Sequence, residues 1–184
     1  MPEEIDLERF ATTEALNATD EQERDESIGE ADFAALPADI DPDFASFIAT
    51  LGLQHFSASE FLVMGGSNSS GACAGRNHPP PRSLWANIAS TARVLDRLRS
   101  ELALPIRLTS VYRNQPYNTC IAGAGLSQHM RFNAADFTVS GASPSQSAAK
   151  LLELRDAGFF HGGVGLYSTF VHVDTRGNNA TWGF

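Results

Sequence analysis

The feature that most constrains this chain is a set of ionisable side chains placed inside runs that otherwise read as buried β-strand. Asp136 follows Ala134 and Ala135 and precedes Phe137, and His172 and Asp174 alternate with Val171 and Val173. Successive side chains of a strand point to opposite faces, so His172 and Asp174 share one face and the valines the other. A carboxylate in such surroundings is costly to bury unless a cation meets it. Any fold of this chain must therefore bring positive charge to that face.

His129 precedes Asp136 in a His-x6-Asp spacing. Two imidazoles and a carboxylate arriving from separate elements are the residue types of a three-ligand zinc site, with a fourth position left for water. Singly, each has a plainer reading, because a lone histidine is more often structural than a ligand. His55, His78 and His161 take that plainer reading.

The surrounding elements follow from periodicity and caps. Apolar residues at helical spacing from Phe44 to Leu51 mark the start of folded structure. Ser57 and Glu60 form a capping-box pattern, which makes Glu60 a cap rather than a catalyst. Residues 65–83, rich in Gly and Pro, read as a long loop. From Ser83 to Leu102 the positions Trp85, Ile88, Ala92, Leu95, Leu98 and Leu102 predict an amphipathic helix, closed by Pro105. Ile106 to Val111 alternates as a strand. Ser143, Pro144 and Gln146 announce a second helix that Gly158 stops. Short β-like runs lie at 134–139, 163–167 and 170–175. Strands and helices in mixed order, without regular βαβ alternation, predict an α+β fold with a small, mostly antiparallel sheet flanked by helices.

Charge divides the chain. Fifteen of its twenty-two acidic residues lie between Glu3 and Asp43, beside only Arg9 and Arg24, whereas residues 45–184 hold seven acids against eleven Arg and Lys. Residues 1–43 are expected to form an acidic, disordered arm, because stretches such as Asp20 to Glu26 cannot bury enough apolar surface to offset the ordering entropy. Residues 44–184 are expected to form one domain. No run approaches a membrane span, and the N-terminus lacks the basic start and apolar run of a secretory signal. The chain reads as soluble and, by default, monomeric, with its localisation open. Scattered basic residues and an acidic arm argue against nucleic acid as a partner, and no Gly-rich phosphate cradle is present. Cys73 and Cys120 are either one bridge or two buried thiols.

Several segments carry a family resemblance. They are Phe56 to Phe61, Thr109-Ser110-Val111-Tyr112-Arg113 with Tyr117-Asn118, Ser127-Gln128-His129 with Ala134-Ala135-Asp136, Gly162 to Tyr167, and Val171-His172-Val173-Asp174-Thr175-Arg176-Gly177. In that order they resemble the zinc D-Ala-D-Ala carboxypeptidases and related peptidoglycan endopeptidases and phage endolysins, in the superfamily shared with lysostaphin and hedgehog domains. The subgroup it resembles ends in Val-His-Val-Asp. The resemblance implies a hedgehog/D-Ala-D-Ala metallopeptidase-like fold with a single zinc ion held by His129, Asp136 and His172. It implies a metallopeptidase that hydrolyses peptide bonds in peptidoglycan stem peptides, as an endopeptidase in preference to a carboxypeptidase. Arg113 would steady the substrate's carboxylate or carbonyl, with Gln128 and Tyr167 as further substrate contacts, although core packing is the plainer role for Tyr167.

Two departures stand out. Relatives carry Gly two or three residues after the first histidine, where this chain has Met130 to Asn133. Several place a Glu three residues before the last histidine, where this chain has Thr169. Asp174 is then the expected general base, with orientation of His172 as its alternative role and His161 as the remaining candidate base. The competing reading is a catalytically silent zinc-binding module serving recognition or particle assembly.

Overall fold

The computed structural model describes residues 40–184; the acidic arm, apart from its last four residues, lies outside the described residues. Helix α1 (Pro42–Thr50) starts with Asp41 accepting from the Asp43 amide at 2.8 Å. It therefore begins two residues before the boundary expected from charge. Its Phe44 and Ile48, one turn apart, are buried, and the Phe44 ring meets Trp85 edge to face at 5.1 Å. The expected helix from Ser83 opens as a 3-10 segment (Arg82–Asn87) and continues as α2 (Ile88–Leu102). Helix α4 (Pro144–Asp156) carries the expected capping box, with Ser143 and Gln146 exchanging hydrogen bonds of 2.9 and 3.2 Å. Glu60 likewise accepts from the Ser57 amide at 2.7 Å, which leaves it a cap.

Strands β1 (Ile106–Ser110), β2 (Ala134–Val139), β3 (Gly163–Leu166), β4 (Val171–Asp174) and β5 (Ala180–Trp182) form one sheet in the order β1-β2-β4-β3-β5. All neighbours are antiparallel except β3 and β5. The expected α+β class with a mostly antiparallel sheet is the observed one. Ala135, Phe137, Val164, Val171 and Val173 enter the core together with Ile88, Leu95 and Leu98 of α2 and Leu151 of α4. The opposite face of the same strands holds the ionisable residues.

One expectation fails in detail. Simple alternation puts Ser110 on the face of Ile106 and Leu108, but Leu108 pairs with Phe137 while Ser110 pairs with Asp136. The extra residue, Thr109, is a bulge that turns Ser110 to the polar face. The loop expected over 65–83 contains short 3-10 turns at Gly66–Asn68 and Gly71–Cys73. It is fastened to helix α3 (Gln115–Cys120), which periodicity did not reveal, by a Cys73–Cys120 disulfide. Asn77 adds to the fastening: its amide donates to the Met64 and Tyr112 carbonyls at 3.0 and 2.7 Å and its Oδ1 accepts from the Asn114 N–H at 2.9 Å.

Candidate metal centre

One row of the sheet carries the site. Strand register aligns Ser110, Asp136, His172, Gly165 and Trp182 across β1, β2, β4, β3 and β5. His129 arrives from outside the sheet, on a short 3-10 turn (Gln128–Arg131), where its backbone carbonyl accepts from the Arg113 amide at 3.3 Å. His129, Asp136 and His172 converge with their ligand atoms within 4.8 Å of one another, and all three are buried. No further acidic or imidazole side chain joins that group among the described residues.

Each ring has an oxygen acceptor at the nitrogen that faces away from the centre. His129 Nδ1 lies 2.7 Å from the Val111 carbonyl, which can only accept, so Nδ1 is the donor and Nε2 turns its lone pair inward. His172 Nε2 lies 3.1 Å from Asp174 Oδ2, so Nδ1 is the inward atom. Inside, His129 Nε2 stands 3.1 Å from His172 Nδ1 and 3.1 Å from Asp136 Oδ1, and His172 Nδ1 stands 2.9 Å from that oxygen. Three electron-rich atoms at such separations require a cation between them. Tetrahedral zinc with bonds of about 2.0–2.1 Å sets its ligands roughly 3.3 Å apart, so the donor set fits that ion after a shift of a few tenths of an ångström.

The electrostatics say the same in the metal-free chain. Burial opposes charge on His172, but hydrogen bonds to Asp136 and Asp174 and their negative charge outweigh it and raise its pKa to about 10. Burial likewise opposes ionisation of Asp136, yet its electrostatic interactions with His129 and Arg113 and the histidine hydrogen bonds hold it well below the usual carboxylate range. The same concentration of negative charge that favours a proton there favours a metal cation.

The remaining expected site residues fall around this group. Arg113 is 2% exposed; its Nε donates to Ser110 Oγ at 2.9 Å and its Nη2 to Asp136 Oδ2. The second of these bonds holds Oδ2 of Asp136, while the histidines meet Oδ1. Asp174 is fully buried and also held low, where burial is overcome by hydrogen bonds from His172 and Arg176. Its Oδ1 accepts from the Gly163 and Arg176 amides, both at 3.0 Å, and Arg176 Nη2 reaches Oδ2 at 2.6 Å. Asp174 therefore stands on the Nε2 side of His172, across the ring from Nδ1, a position that favours the orienting role over the expected role of base. Thr169 is exposed in the turn between β3 and β4, and His161 is exposed at the start of β3. Gln128 is buried at the head of the 3-10 turn, where its backbone carbonyl accepts from Asn133 at 3.1 Å. Tyr167 is half-buried rather than core, its ring stacked on Phe170 at 4.3 Å and its hydroxyl accepting from Trp182 Nε1 at 3.0 Å.

Of two further residues beside the site, the sequence reading missed one and flagged the other only as part of a turn. Trp182 packs its ring 5.2 Å from that of His172. Phe132, three residues after His129, adopts φ 55° and ψ 42°, a left-handed conformation that favours Gly. The missing Gly was the signal for it; Trp182 left none.

A sequence model of a family described as Peptidase M15 matches residues 54–174, a span that contains His129, Asp136 and His172. No curated protein and no solved structure gave a significant match.

Proposed function

The chain belongs to the peptidase M15 family, a family of metallopeptidases, and from that premise we propose that it is a zinc-dependent endopeptidase acting on the stem peptides of bacterial peptidoglycan. The observation that carries the zinc is an oxygen acceptor on the outer nitrogen of each imidazole, the Val111 carbonyl for His129 and Asp174 for His172, which leaves two nitrogens and one carboxylate oxygen facing one point. His129, Asp136 and His172 are the proposed ligands. Zinc bound there supplies a Lewis acid for a peptide carbonyl and for a water nucleophile.

The chain's own residues prepare that point. Arg113 keeps Asp136 ionised and fixes which of its oxygens turns inward. Asp174, itself clamped by Arg176, keeps the Nε2 proton on His172 and so keeps Nδ1 available. Arg113 also offers a planar cation beside the ligands, suited to a substrate carboxylate or to charge developing on the scissile carbonyl. Gln128 and Tyr167 are the proposed further substrate contacts. The Cys73–Cys120 disulfide supports action in an oxidising compartment, where a cell-wall substrate lies.

A second reading has one observation in its favour. Thr169 stands where the expected acid would be, Asp174 meets His172 at Nε2, and no further acidic or imidazole side chain joins the three ligand atoms among the described residues. A catalytically silent zinc module fits that arrangement. Metal analysis of the purified chain together with mass spectrometry of digested muropeptides separates the readings. The proposed enzyme gives one zinc per chain and new cross-link cleavage products. One zinc and undigested muropeptides supports the silent module, and absence of zinc rejects both.

A further inference from the structure

The family match ends at residue 174, and the chain then runs on into β5. Gly163 and Gly165 occupy successive positions on the site face of β3. A Cβ on Gly165 would stand 2.5 Å from Cε2 and Nε1 of Trp182, and one on Gly163 would stand 3.0 Å from the far edge of the same indole. The two missing side chains leave a trench across β3, and Trp182 lies in it. From there its ring reaches His172 at 5.2 Å, tilted by 48°. The Arg176 guanidinium stands 5.5 Å over the same ring while it holds Asp174. The Trp182 Nε1 is anchored on Tyr167. Strand β5 is pinned from α4: Arg155 Nη1 donates to the Ala180 carbonyl at 2.8 Å and Nη2 to Thr181 Oγ1 at 2.8 Å.

These contacts complete a constraint that the hydrogen bonds leave open. The His172 ring turns about its Cβ–Cγ bond, and a single 3.1 Å hydrogen bond at Nε2 tolerates a range of such turns. A rigid aromatic side chain against the ring narrows that range. Trp182 also packs on the arginine that holds Asp174, so one side chain bears on the ring and on the partner of its Nε2. We propose that Trp182 is a positioning residue of the metal centre, and that the C-terminal strand, outside the family-matched segment, completes the site by fixing the plane of His172. The inference rests on His172 being a metal ligand.

The test uses the full chain, stripped of metal and titrated with zinc against a chromophoric chelator, with the absorption bands of the cobalt-loaded protein as a second readout. Trp182→Ala is expected to weaken zinc binding by about tenfold to a hundredfold, the usual range for partners behind a ligand, and to shift the cobalt bands. Trp182→Phe, which keeps an aromatic face, is expected to recover affinity to within about threefold of wild type. Gly165→Ala, which displaces the indole without removing it, is expected to behave like Trp182→Ala. Melting temperatures of the metal-free variants give the control. Wild-type affinity and cobalt spectrum in both Trp182→Ala and Gly165→Ala would overturn the proposal, as would an affinity loss that merely follows a fall in metal-free melting temperature. Failure of the wild-type chain to bind zinc would overturn the ligand assignment itself, and this inference with it.

Discussion

Asp174 meets His172 at Nε2, whereas Asp136 meets it at Nδ1, and the ring stands between the two carboxylates. Asp174→Asn therefore separates the two roles open to this residue. A residue that orients a ligand should, when its charge is removed, weaken zinc binding by about tenfold to a hundredfold, with much of the turnover restored at saturating zinc. A general base should leave zinc affinity alone and cost about a hundredfold or more in kcat at any zinc concentration. The first outcome is expected; unchanged affinity with abolished turnover would return Asp174 to the base role. The same pair shows how far single residues were legible. Period-two alternation placed His172 and Asp174 on one face, and the embedded Asp136 announced a cation. Which ring nitrogen faces which carboxylate depends on a side-chain torsion that no sequence pattern encodes.

Elements were legible where caps or long periodicity marked them, as in α2 and α4, and illegible where a neighbour created them. Strand β5 has three residues, too few for a pattern, and exists because β3 offers an edge to pair with in parallel. The bulge in β1 is a property of the pairing with β2, so alternation within β1 alone mis-aimed Ser110. The turn after His129 lies between these cases. Its conformation was flagged by the Gly that relatives carry, and here Phe132 takes the left-handed conformation with its ring fully buried, 6.1 Å from Tyr112 and 6.3 Å from Phe44. That backbone costs a non-Gly residue about 1–2 kcal/mol, while losing a buried Phe side chain costs about 3–5 kcal/mol. Packing wins, which explains why a bulky residue persists where the backbone favours Gly. Both Phe132→Ala and Phe132→Gly should thus be destabilised, but the Gly variant should be the more stable of the two by about 1 kcal/mol, the reverse of the ordinary order. Urea denaturation midpoints measure this directly. An Ala variant equal to or better than the Gly variant would mean that the turn is not held left-handed in solution.

Over the whole molecule, charge and crosslinking set the remaining relations. The pairing of Cys73 and Cys120 was undecidable from sequence, because it depends on tertiary placement, which brings their Cα atoms to 5.8 Å. Closing a loop over their separation of 47 residues constrains the unfolded chain by about 4 kcal/mol in the entropic account. The acidic arm is the other long-range feature, and the described structure shows where it can be cut. Asp41 caps α1 and Asp43 pairs with Arg82, so a deletion should stop short of both. Removing residues 1–38 takes away twelve acids and two arginines and spares α1 with its buried Phe44 and Ile48. As a hypothesis, the arm competes with an anionic substrate for the mildly basic domain: a tethered segment has an effective concentration on the order of millimolar there. That attraction is screened over about 8 Å at physiological ionic strength. The truncated chain should then keep its fold and zinc and show a higher kcat/KM on muropeptides at low salt, with the advantage shrinking as salt is added. The competing account is an arm that only docks the protein elsewhere, or does nothing to the isolated enzyme. It requires equal kcat/KM for the full and truncated chains at every ionic strength, and that equality would remove self-competition as an explanation for fifteen acids gathered at one end of a chain whose folded part is mildly basic.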